Sequence, residues 1–104
     1  MDWKNKQNRQ LVETVLSLET ADETQRFLRD LMTETEIKEF ANRLTAARLL
    51  SKGVMYSAIE EETGLSSRTI ARVSKWLKGE EMGYKTVLSK IHHHNHIQTR
   101  RGLS

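Results

Sequence analysis

The chain of 104 residues has no cysteine, which excludes disulfides and thiolate metal sites. It also has no proline, so no residue along it forbids a helix interior by lacking a backbone donor. No apolar run is long enough to cross a bilayer, and the start shows no secretory signal pattern. These absences lead to the expectation of a cytoplasmic protein with no membrane partner. A convincing alternation of apolar and polar residues, the mark of a half-buried strand, is missing as well. Apolar residues make up 37% of the chain and charged residues 30%, a thin supply for a self-sufficient core at this length.

Signs of catalysis are equally scarce. Glu60, Glu61 and Glu62 are consecutive, so on a helix their carboxylates fan apart instead of converging as an acid and a base. No serine stands beside an evident basic partner, and no glycine-rich loop is present to cradle a phosphate. His92, His93, His94 and His96 are metal-ligating types, but they fall in a polar run without apolar period, and no metal site is assigned to them. The expectation is a protein that is not an enzyme.

What the sequence does contain is helical periodicity from end to end. Leu11, Val12, Val15 and Leu16 form a first stripe, on a helix predicted over about Trp3 to Leu18. Phe27, Leu28, Leu31 and Met32 form a second, starting near Asp22 as its cap. Thr33 and Glu36 then have capping-box spacing, and Ile37, Phe40, Ala41, Leu44 and Ala47 follow on one face as far as Lys52-Gly53. Two shorter helices are predicted at about Tyr56–Thr63 and Ser67–Lys78. A last one, from about Glu80, carries Met82, Val87, Leu88 and Ile91. The result is an all-α chain of about six helices, with one domain over 1–91 and a disordered His- and Arg-containing tail over 92–104.

Charge is unevenly spread along it. Residues 65–104 carry eight Lys/Arg and two Asp/Glu, whereas residues 1–64 carry a net charge of −3. A basic final third on a mildly acidic body suits a polyanionic partner.

The segment Ile59 to Val73 gives that partner a mode of binding. Gly64 lies between the two short helices, where a sharp turn needs a positive backbone dihedral. Ile59, Leu65, Ile70 and Val73 have the spacing to pack those helices together, and Ser66 or Ser67 is placed to cap the second. This is the layout of a helix-turn-helix, spanning about residues 56–78, whose second helix enters the DNA major groove. The outward positions are Ser67, Arg68, Thr69, Ala71, Arg72 and Lys75, with Ser66 and Lys78 at the helix ends. Arginine can bond bidentately to guanine, hydroxyls serve phosphates or bases, and the Ala71 methyl can meet a thymine methyl. Arg68, Thr69 and Ser67 are thus expected at base edges or in the groove, and Arg72, Lys75 and Lys78 at phosphates. Glu60 departs from the pattern, because the tightly packed position it holds is usually alanine.

Two blocks of the chain resemble the tryptophan repressor superfamily, close to its YerC/YecD subgroup. The first is Glu36-Ile37, Ala41, Arg43-Leu44, Ala47-Arg48, Leu50 and Gly53. The second is Tyr56, Ile59-Glu60, Glu62-Thr63-Gly64, Ser66, Thr69-Ile70 and Arg72-Val73. The resemblance implies an intertwined all-helical homodimer binding double-stranded DNA at a palindromic operator, and a repressor is the expected kind of regulator. It also implies a ligand site at Thr33, Arg43 and Arg72. Val73 and Trp76, however, stand where the tryptophan-binding members have glycine and serine. Their bulk fills or reshapes the slot, so no cofactor is expected and L-tryptophan is not the expected corepressor. The other reading of the basic face is a helical protein-interaction module, or an accessory subunit of a transcription complex, that docks an acidic partner.

Overall fold

The computed structural model describes the backbone of residues 1–100 and the side chains of residues 1–91. It has six helices in the order α1 (Lys6–Leu16), α2 (Ala21–Leu31), α3 (Glu34–Ser51), α4 (Tyr56–Thr63), α5 (Ser67–Leu77) and α6 (Gly83–Arg100), with no strand among the described residues. The all-α expectation holds. No helix among the described residues is long and apolar enough to cross a membrane.

The helix starts follow from local hydrogen bonding. Asn5 caps α1, its side chain accepting from the Gln7 and Asn8 amides, so this helix begins later than its apolar stripe suggested. Thr20, not Asp22, caps α2. Its hydroxyl oxygen accepts from the Glu23 amide while a Glu23 carboxylate oxygen accepts from the Glu19 amide. Asp22 sits inside the first turn instead, paired with Arg26 at 3.1 Å. The Thr33–Glu36 capping box forms as expected: the Thr33 amide donates to Glu36 Oε1 at 2.9 Å and the Glu36 amide donates to Thr33 Oγ1 at 3.1 Å. At the far end of α3 the chain turns through Gly53, with φ +80°.

Two units make up the chain, residues 1–37 and the residues from Lys38 onward. In the first, neither α1 nor α2 buries a single residue, and Leu16 is left 78% exposed. The second holds the core. Ala46 and Ala47 of α3, Ile59 of α4, and Ile70 and Val73 of α5 are fully buried together. Leu49, Leu50, Val54 and Leu65 pack around them, and Tyr84 and Leu88, one turn apart on α6, close the far side. The two alanines let neighbouring helices approach α3 closely where larger side chains would hold them off.

The stripe on α3 divides in a way its periodicity did not announce. Ala47 reaches the core, but Phe40 and Leu44 remain 45% and 37% exposed. The last helix starts at Gly83, not Glu80, because Met82 takes a positive φ of 57° and breaks the path from α5. Its backbone also continues to Arg100, past the end expected at Ile91. The tail expected over 92–104 otherwise lies outside the described residues.

Candidate nucleic-acid interface

The interface is built on the α4–turn–α5 unit, and the turn is fastened at three points. Gly64 closes α4 in the left-handed conformation (φ 74°, ψ 2°), its amide donating to the Glu60 carbonyl at 2.8 Å. Thr63, buried beside it, donates its hydroxyl to the Ile59 carbonyl at 2.7 Å and accepts from the Leu65 amide at 3.2 Å. Ser66 then caps α5, accepting from the Thr69 amide at 3.2 Å, while its hydroxyl donates to Thr69 Oγ1 at 3.1 Å. One short run of side chains thereby fixes the angle at which α5 leaves α4.

That angle is held by packing. Ile59 meets Ile70 and Val73, and α5 packs on α4 along one side and on α6 along the other. Ile70, Val73, Ser74 and Leu77 form the buried face of α5. At 100° per residue, Arg68, Arg72 and Lys75 fall on the opposite face, and all three are exposed. Ser66, Ser67, Ala71 and Lys78 are exposed as well, whereas Thr69 is half-buried with its hydroxyl engaged by Ser66. Lys78 ends the helix, its amide donating to the Ser74 carbonyl at 3.1 Å. Glu60 is half-buried, so the acidic side chain at the usual alanine position is accommodated at the edge of the packing.

The residues that resemblance linked to a small ligand have other partners here. Thr33 serves as the cap of α3, and its amide and hydroxyl hold the Glu36 carboxyl below its ordinary range. The Thr33 amide is the larger cause and its hydroxyl the smaller. Arg43 bonds Glu39 at 3.3 Å and lies over the Phe40 ring at 5.5 Å, with its Nε buried and unpartnered. Arg72 lies over the ring of Trp76, 6.0 Å from its centre. Val73 is fully buried in the core and Trp76 is 47% exposed. The sequence alone gives no role to Thr63 and no partner within the chain to Arg72. The i, i+4 spacing of Arg72 and Trp76 was the one available clue.

Known proteins resemble this arrangement closely. The family model described as Trp repressor protein matches residues 6–92. The uncharacterized protein YerC of Bacillus subtilis is 40% identical over 88 residues, 85% of either chain. A crystal structure of a TrpR-like protein from Eubacterium eligens superposes with a TM-score of 0.80 at 34% identity, covering 86% of this chain and 92% of that one. A candidate Trp repressor from Staphylococcus aureus gives 0.81 at 30% identity, covering 88% and 95%.

Proposed function

The chain belongs to the Trp repressor family, and from that premise we propose that it is a sequence-specific DNA-binding regulator, a repressor working in the cytoplasm as a homodimer on a palindromic operator. The observation that carries this reading is the exposed Arg68–Arg72–Lys75 face of α5, set opposite the helix's buried residues behind a glycine turn. In the major groove, Arg68 reads a base edge, with Ser67, Thr69 and Ala71 beside it. Arg72, Lys75 and Lys78 hold phosphates, and Ser66 presents the capped helix start to the backbone.

Exposed apolar surface supports the dimer. Leu11, Val12, Val15, Leu16 and Leu31 of the first unit lie open to water, as do Phe40 and Leu44 on α3. At roughly 25 cal/mol per Å² of apolar area, a second copy covering such surface gains what the thin core of one chain lacks. Two-fold pairing then places two α5 helices about one DNA turn, roughly 34 Å, apart. Repression follows from occupying a site that other proteins need.

Selection of bound duplexes from a random pool by the purified protein tests this reading. The expected result is an enriched palindrome with half-sites about one helical turn apart. A pool that stays random would refute sequence-specific binding and favour docking of an acidic protein on the same face.

A further inference from the structure

Trp76 is a tryptophan on the solvent side of a basic helix, outside the buried core cluster. Ile70, Val73, Ser74 and Leu77 already fill the buried face of α5, and Trp76 remains 47% exposed. What it touches is Arg72, one turn earlier, whose guanidinium carbon lies 6.0 Å from the ring centre. The chemistry of that pair separates two uses of arginine. Cation–π attraction uses none of the guanidinium's hydrogen-bond donors, whereas a phosphate is held through those donors. An arginine held over an indole therefore keeps its donors free for a phosphate.

The contact also limits the rotamers of a long side chain before it binds. A free arginine gives up that freedom on contact with DNA and loses affinity accordingly, whereas one already held gives up less. We propose that Trp76 is a positioning residue for DNA binding, holding the Arg72 guanidinium in place for a backbone phosphate. The role rests on the DNA-binding reading above. It reaches beyond that reading by assigning a function to an aromatic side chain that makes no DNA contact of its own.

Binding of an enriched duplex by wild type, Trp76→Leu, Trp76→Phe, Arg72→Ala and the Arg72→Ala/Trp76→Leu double variant tests the role. Trp76→Leu is expected to weaken binding about two- to fivefold, the range of an exposed cation–π contact, and Trp76→Phe to stay near wild type. In the Arg72→Ala background Trp76→Leu should add nothing, because the group it positions is gone. NMR of the DNA-free protein provides a second measure. Ring-current shifts of the Arg72 side chain should be present in wild type and in Trp76→Phe and lost in Trp76→Leu. Equal affinities of wild type and Trp76→Leu on a duplex that wild type binds would sink the positioning role alone. So would an undiminished effect of Trp76→Leu without Arg72, or the absence of those shifts in wild type. Failure of wild type to bind any duplex would overturn the DNA reading first and this role with it.

Discussion

At the scale of single residues, Gly64 matters for its backbone and not for its size. A Cβ built there meets nothing within 4 Å, yet φ is +74°. The cost of any side chain is therefore conformational, about 1–2 kcal/mol for most L-residues and less for asparagine, which tolerates the left-handed region. Gly64→Val should lower unfolding stability by about that amount, with Gly64→Asn in between. Denaturant unfolding at one fixed protein concentration measures it, and equal stability of all three proteins would show that the turn does not need the left-handed conformation. Glu36 supplies a pH-dependent term. Its pKa is lowered in the folded chain by the Thr33 amide first and the Thr33 hydroxyl second, so its charged form is favoured by folding. The contribution is fully present above the ordinary glutamate pKa and is lost as pH falls through the lowered folded value. Carboxyl NMR titration should place the Glu36 midpoint below the ordinary glutamate value and move it part of the way back up in Thr33→Ala, which removes the hydroxyl and keeps the amide. No movement would mean the Thr33 hydroxyl has no part in lowering it.

Among the elements, α5 has a division of labour that mutation can separate. Arg68→Ala should cost about 1–3 kcal/mol on the enriched site and relax preference at one base pair. Lys75→Ala and Lys78→Ala should weaken binding evenly across sequences and reduce the salt slope by about one phosphate contact each. Titrations at several salt concentrations on matched and scrambled duplexes distinguish the two behaviours. An equal loss for Arg68→Ala on every sequence would move that residue to the phosphate group. The division depends on the Ser66 cap and the Thr63 hydrogen bonds, which fix the start of α5 within its first turn.

For the whole molecule, exposed apolar surface is the dominant fact. With α1 and α2 burying nothing and Phe40 and Leu44 open, the stability of this chain depends on its own concentration if a second copy covers them. The melting temperature should rise with protein concentration, and light scattering should give twice the chain mass of 12.1 kDa. A concentration-independent transition at monomer mass would remove the homodimer. Calorimetry with L-tryptophan should show no saturable binding, given a fully buried Val73 and an Arg72 already held over the Trp76 ring. Saturable micromolar binding would restore the corepressor.

Much of this architecture was written in short-range sequence. The bounds of α4, the left-handed Gly64, the Ser66 cap and the Thr33–Glu36 box each depend on residues within four positions of one another, where spacing alone fixes geometry. Thr20–Glu23 has the same spacing as Thr33–Glu36, and this reciprocal pair, not Asp22, sets the start of α2. Other features were not legible at all. A stripe of apolar residues has the same period whether it faces the core of its own chain or open solvent, and Ala47 and Phe40 went opposite ways on one helix. A positive φ at Met82, where no glycine stands, left no mark in composition. Periodicity records which residues share a face of a helix, but what that face meets depends on the packing of elements distant in sequence. Spacing placed Val73 in the packing and Arg72 one turn from Trp76, but only the packing of α5 against its neighbours decided that Trp76 stays at the surface, with the Arg72 guanidinium over its ring.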